Sequence, residues 1–185
     1  MTKKILITDP LSPAGKEVLE NAGLEVIEIL DQDADKMATV LPEVEGWIIR
    51  SGTKIGAEEI NKANSLKAIG RAGVGVDNID IEAATSRGVV VMNTPGGNTV
   101  SAAEHTVALM MSLARNIPSG DSSMKAGKWN RKALVGTELN GKTLGLIGLG
   151  RIGQEVARRA LGLQMKVIGY DPYVAQDQLV VKDIE

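Results

Sequence analysis

Short apolar runs alternate with helix-type stretches from the first residues onward. Lys4–Thr8, Leu24–Ile29, Gly46–Ile49, Leu66–Ile69 and Val89–Met92 read as strands. Between them, Ser12-Pro13 opens a helix that runs to about Ala22 and stops at Gly23. A capping hydroxyl is followed there by proline, whose missing N–H costs nothing at the first helical position. Ala34–Leu41, Ala57–Ala63 and Ile81–Ser86, the last closed by Gly88, are the other helices. Strand and helix keep alternating up to about residue 95, which predicts a parallel sheet with helices on both faces. Trp47, Ile48 and Ile49 mark the third strand as buried on both sides.

Past residue 98 the pattern changes. Asn98-Thr99 starts a longer helix to about Arg115, ending at Pro118, with Ser101-Ala-Ala-Glu104 in the order of a capping box. Val100, Ala103, Val107, Met110, Met111 and Ala114 form its main stripe, and Ala108, Leu109 and Leu113 carry apolar surface well round the cylinder. Such a helix is buried on two sides, either inside one domain or with one side against a second copy of the chain; the pattern leaves both open. His105, in its middle, reads as a packing or interface residue. Ile117–Gly141 is polar, is broken by Gly120, Gly127 and Gly136, and reads as a loop arm. It carries Trp129, a candidate for docking on a second subunit, and the basic pair Arg131-Lys132.

The sharpest pattern lies between Gly141 and Pro172. Thr143–Ile147 is an apolar strand, and Gly148-Leu-Gly150-Arg-Ile-Gly153 follows at once. Gln154–Leu163 is helical, with Ile152, Val156, Ala157, Ala160 and Leu161 at helical spacing; Met165–Tyr170 is a second strand and Asp171 stands at its end. This is the opening βαβ unit of a dinucleotide-binding domain. Gly148 permits the tight turn, Gly150 lets a pyrophosphate approach the backbone, and Gly153 lets the helix pack on the strand. The helix start offers unpaired N–H groups and partial positive charge, worth roughly 0.3–1 kcal/mol per favourable exposed contact. Asp171 is spaced to accept from ribose hydroxyls and to repel a 2′-phosphate, which favours NAD over NADP. Taken alone, the glycine run could be a plain turn and Asp171-Pro172 a strand end; the flanking strands and helix favour the nucleotide.

Composition narrows the picture. The net charge of −2 over 185 residues gives no electrostatic case for nucleic acid or an anionic membrane. No apolar run approaches the roughly 20 residues of a membrane span. The amino terminus enters a strand without signal-peptide shape and cysteine is absent, so a cytoplasmic protein is expected. With no cysteine and one histidine, thiolate and histidine-rich metal sites are excluded, and a chain without phenylalanine must build an aliphatic core.

In parallel sheets, function gathers beyond the carboxyl ends of the strands. Those ends carry Asp9-Pro10, Arg50-Ser51, Arg71-Ala-Gly73-Val-Gly75 and Pro95-Gly-Gly-Asn98. Arginine presents a planar fork to carboxylate or phosphate, and glycine turns free backbone N–H groups to line an anion-binding hollow. The edge therefore suits a small anionic substrate. Either arginine alone could equally be a surface or capping residue; their shared edge favours binding.

These stretches together resemble the NAD-dependent D-2-hydroxyacid dehydrogenases, in their phosphoglycerate-oxidising branch. The resemblance is carried by Ile49-Arg50-Ser51, Gly70–Asn78, Val91–Pro95, Ser101–Glu104, Met124–Lys132, Gly136–Gly141, Leu146–Gly153 and Tyr170-Asp-Pro172, nearly the whole chain to about residue 174. It implies an α/β chain in which a flavodoxin-like parallel-sheet substrate domain, residues 1–98, precedes residues 99–185. The latter hold the long helix, a dimerisation arm and the first βαβ unit of an incomplete Rossmann domain. It implies oxidation of 3-phosphoglycerate to 3-phosphohydroxypyruvate, the first step of serine synthesis. Arg50, Ser51, Gly73, Val74 and Asn98 would hold the substrate's anionic groups, and Arg131 with Lys132 would reach a neighbouring subunit's substrate. Val74, Gly148, Gly150, Arg151, Ile152, Gly153 and Asp171 would contact NAD. A homo-oligomer through the 99–117 helix and the 118–141 arm is expected. The family's catalytic arginine, glutamate and histidine fall in a part without counterpart here, so a partial form without turnover of its own is expected. An NAD-sensing binding module and a dimerisation scaffold of the same superfamily remain as alternatives.

Overall fold

The computed structural model describes residues 2–185. The chain divides into two compact units, Met1–Gly97 and Asn98–Glu185, each with its own apolar core.

The first unit is a five-stranded sheet of β1 (Lys4–Ile7), β2 (Glu25–Glu28), β3 (Gly46–Ile49), β4 (Ala68–Arg71) and β5 (Val90–Asn93). Its order is β2-β1-β3-β4-β5 with every pair parallel, the flavodoxin-like arrangement. The crossovers contain α1 (Pro13–Asn21), α2 (Ala34–Val40), α3 (Ala57–Lys62) and α4 (Ile81–Ser86). Ser12 caps α1 as its position predicts, its hydroxyl accepting from the Gly15 N–H. Asp33 and Asp80 cap α2 and α4 in the same way. The core is aliphatic around one aromatic residue: Leu6, Val44, Ile49, Ile55, Ile60 and Ile69 pack with Trp47, all essentially without solvent exposure. The one clear shift from the sequence pattern is β4, which lies two residues later than Leu66–Ile69 and so carries Arg71 as its last residue. Apolar periodicity does not mark that boundary, because β4 hydrogen-bonds through Gly70 and Arg71 opposite Ile48 and Ile49.

The second unit begins with α5 (Thr99–Ala114), capped at Asn98. Ser101 is inside the helix and donates to the Asn98 carbonyl, so the expected capping box does not form. The helix is also less buried than its apolar composition predicts: Ala103 is its only buried residue, while Val100, Leu109 and Leu113 are exposed. His105 is exposed as well. The polar stretch read as a loop arm contains a further helix, α6 (Ile117–Lys125), and a 3-10 turn at Arg131–Leu134. Pro118 sits in the first turn of α6 instead of ending α5, and Asn116 makes the corner between them in a left-handed conformation (φ 53°). β6 (Thr143–Ile147), α7 (Arg151–Gly162) and β7 (Lys166–Tyr170) form the expected parallel βαβ unit. The tail folds back over it. Ile184 bridges Val167 in parallel register, the Gly169 N–H donates to the Glu185 carbonyl, and Leu179, Val181 and Ile184 are buried with Leu149 and Met165.

Candidate functional site

At the carboxyl edge of the first sheet, two loops are held by side chains from neighbouring strands. The loop after β3 starts at Arg50. Asp9, at the end of β1 and only 7% exposed, accepts with one carboxylate oxygen from the Arg50 N–H (2.7 Å) and the Thr53 N–H (3.0 Å). Thr53 continues inward: its hydroxyl donates to the Thr8 hydroxyl, which also accepts from the Trp47 indole N–H. A buried carboxylate is tolerable only when hydrogen-bonded, and here it fixes the loop to the sheet. Arg50 and Ser51 project from that loop into solvent.

The second loop follows β4. The Asn93 side-chain amide donates to the Val74 carbonyl (2.6 Å) and the Thr94 N–H donates to the Gly73 carbonyl (2.9 Å), so the end of β5 holds the Gly73–Val74 turn. Arg71 folds its guanidinium over Gly73, where a Cβ would collide with it. The structure thus brings Arg50, Ser51, Gly73 and Val74 to one sheet edge, together with Arg71. Of the other two residues read as substrate ligands, Asn98 is exposed at the start of the second unit and Arg131 is exposed in its 3-10 turn.

In the second unit, the turn between β6 and α7 has the geometry its glycines predict. Gly148 has φ +97°, a conformation that strains any residue with a Cβ. A Cβ on Gly153 would strike the Gly148 carbonyl oxygen, so the helix packs on the turn backbone to backbone. Nothing stands within 4 Å of the position a Gly150 Cβ would take, which leaves the mouth of the turn open. Gly150 caps α7 without a side chain, and the first N–H groups of the helix, at Arg151, Ile152 and Gly153, have no intrahelical partner. Arg151 and Ile152 are exposed there.

Asp171 faces this turn across the end of β7. One carboxylate oxygen accepts from the Leu149 N–H (2.7 Å) and the other from the Tyr173 (2.8 Å) and Val174 (3.2 Å) N–H groups. These backbone donors, Tyr173 first and then Leu149, hold its carboxyl below the usual carboxylate range. Asp171 also lines a cavity of about 170 Å³ with Leu149, Tyr170, Val174 and Leu179. Of the roughly four acceptor positions on a carboxylate, three are taken, so one remains for an incoming hydroxyl. The turn, the open helix end and a carboxylate with one acceptor position left form an arrangement that could hold a dinucleotide.

Sequence reading did not single out Leu149, whose N–H connects the glycine turn to Asp171 while its side chain enters the core. Asp9 is placed there only as the residue that ends the first strand, with no role given, and Asn78 only as the last residue of Gly70–Asn78. Asp9 directly follows an apolar strand, and that is the one signal that marks it.

A flavodoxin-like unit with a basic, glycine-rich edge, followed by a βαβ unit with a dinucleotide-type turn, defines an NAD-dehydrogenase-like α/β protein. The sequence profile of the D-isomer specific 2-hydroxyacid dehydrogenase catalytic domain matches residues 5–173, and the chain belongs to that family. It is 53% identical over 175 residues to D-3-phosphoglycerate dehydrogenase of Rattus norvegicus, which covers 95% of this chain and 33% of the relative. The chain therefore spans about a third of the length of the curated relatives it matches. Among solved structures, a protein from Thermus thermophilus superposes with TM-score 0.86 at 34% identity, over 98% of this chain and 59% of that one. An NAD-dependent formate dehydrogenase from Staphylococcus aureus, solved with NAD, gives TM-score 0.81 at 30% identity over 100% of this chain and 65% of that one.

Proposed function

We propose that this chain serves a phosphoglycerate dehydrogenase of serine synthesis, in the cytoplasm, binding NAD on its second unit and 3-phosphoglycerate on its first. The observation that carries the reading is the Asp171 carboxylate, bonded to the Leu149 N–H inside the glycine turn with a cavity open beside it. The names of the relatives supply the substrate. In this reading Gly148, Gly150, Arg151, Ile152 and Gly153 receive the diphosphate, and Asp171 receives the ribose. Arg50, Ser51, Gly73 and Val74 hold the substrate's anionic groups. Arg131 reaches the substrate of a second copy, the assembly forming through α5 and the 118–141 arm.

NAD supplies the hydride acceptor when bound. What this chain contributes is binding and orientation. Its one histidine, His105, is exposed on α5, where it is read as a packing or interface residue and not as a base. A positioned acid–base group contributes about 10²–10⁴ in rate, so the 185-residue polypeptide by itself is expected to reduce NAD with phosphoglycerate only at background. Calorimetric titration of NAD and of 3-phosphoglycerate into the chain, with its solution mass measured alongside, tests the reading. Saturable binding of both supports it; binding of neither rules it out. The exposed apolar residues of α5 favour a second reading, an NAD-sensing assembly module. Dimerisation that depends on NAD, with no phosphoglycerate binding, would select that one.

A further inference from the structure

One side chain at the anion edge belongs to neither the core nor the ligand set. Asn78 follows the β4 turn and its carboxamide makes three bonds. Its oxygen accepts from the Arg71 Nε–H (2.8 Å), and its NH₂ group donates to the Arg50 carbonyl (2.7 Å) and the Thr53 carbonyl (2.5 Å). It thereby joins the last residue of β4 to both ends of the loop after β3. We propose that Asn78 is a positioning residue, a neutral clamp that aims the Arg71 guanidinium and the Arg50–Thr53 loop at the anionic substrate; this rests on the reading that the edge takes that substrate.

The accounting of donors supports it. Asp9 occupies the N–H groups of Arg50 and Thr53, and Asn78 occupies their carbonyls. Both ends of the loop are thus fixed from two sides. The N–H groups of Ser51 and Gly52 have no partner among the described residues and, with the Arg50 and Ser51 side chains, are what the loop offers a ligand. On Arg71 the clamp takes only Nε–H. The four N–H bonds of the two terminal nitrogens stay free among the described residues, and Nη1 lies over Gly73.

The residue type matters. A carboxamide is both donor and acceptor, and both are used. A carboxylate in the same shape would still accept from Arg71 but would face the two loop carbonyls with no donor. It would also cancel the guanidinium charge that an anionic substrate needs. The clamp holds the arginine without neutralising it.

The test titrates 3-phosphoglycerate, and inorganic phosphate in parallel, into the full 185-residue chain by NMR. The forms compared are wild type, Asn78→Ala, Asn78→Asp, Arg71→Ala and the Asn78→Ala/Arg71→Ala double variant. Asn78→Ala is expected to weaken phosphoglycerate binding at least tenfold, but less than threefold once Arg71 is already alanine, because the effect runs through that guanidinium. Asn78→Asp is expected to fold with a lowered thermal midpoint, to weaken binding as strongly, and to flatten its salt dependence by about one charge. Binding by Asn78→Ala within twofold of wild type, or an equal loss with and without Arg71, overturns the proposal. If Asn78→Ala does not fold, Asn78→Asp decides by the same thresholds. If wild type binds neither ligand, the substrate reading fails, and the clamp is judged without ligand. A slowly exchanging Arg71 Nε–H signal in wild type that is lost in Asn78→Asp or Asn78→Ala supports it; no such signal in wild type overturns it.

Discussion

At the scale of single residues, Gly153, which faces backbone, and Gly73, which faces a charged side chain, make separable demands. Gly153→Ala places a methyl group against the Gly148 carbonyl, and backbone cannot move aside as a side chain does. The variant is expected to lose about 1–3 kcal/mol of stability in the second unit, read by chemical unfolding, and to lose NAD affinity with it. Gly73→Ala meets only the tip of Arg71, so stability is expected to stay within about 0.5 kcal/mol while phosphoglycerate affinity falls, the guanidinium having been displaced. Asp171 gives a prediction in pH. Its carboxyl is held below the ordinary range by backbone donors, so its stabilising effect is complete above the unfolded value near 4 and is lost as pH falls through the folded value. Asp171→Asn should flatten the acid limb of the second unit's unfolding curve. An unchanged limb would show that the three N–H bonds contribute nothing. The role of Gly148 was legible in the bare sequence because the turn has one geometry and few residue types satisfy it. Asn78 was not, because its partners lie on two other strand ends and no local spacing records them.

At the scale of elements, β1, β3, α4 and β6 lie within a residue of where apolar period and caps place them. Each is short, and Gly148 directly follows β6 while Gly88 closes α4. α6 was missed for a physical reason: IPSGDSSMK has few strong helix formers, and Gly120 and Pro118 read as breakers. Pro118 is harmless where it sits, in the first turn, and the corner at Asn116 starts the helix afresh. α5 was overestimated in burial because an apolar sequence shows that a surface needs cover without showing what covers it. Leu113 is 82% exposed and Leu109 58% exposed on the isolated chain. Oligomerisation through this helix predicts that Leu109→Lys with Leu113→Asp converts the assembly to monomer, read by sedimentation equilibrium. An unchanged mass would remove α5 from the interface.

At the scale of the whole molecule, the two units have cores with no residue in common, one built round Trp47 and the other round Leu149 and Val167. Chains of this kind need not unfold in one step. If each unit holds its own ligand, NAD at a hundred times its dissociation constant should stabilise the second unit alone, by about 2.7 kcal/mol, and phosphoglycerate the first alone. Differential scanning with each ligand separates these outcomes; a shift of both transitions by either ligand would contradict independent stations. The α/β class and the parallel sheet were open to sequence reading, since strand and helix alternate with little interruption up to about residue 95. The tail was not, because its contacts, the Ile184–Val167 bridge and the Gln154 side chain among them, join residues far apart in sequence.

That glutamine has a consequence of its own. From the first turn of α7 its side chain donates to the Leu149 carbonyl and accepts from the Val180 and Val181 N–H groups. The peptide at the glycine turn is therefore stitched to two amides of the tail. Those amides become natural reporters. As NAD quiets the glycine turn, deuterium uptake at Val180 and Val181 should slow in step with occupancy, and a Gln154→Ala chain should bind yet leave them silent.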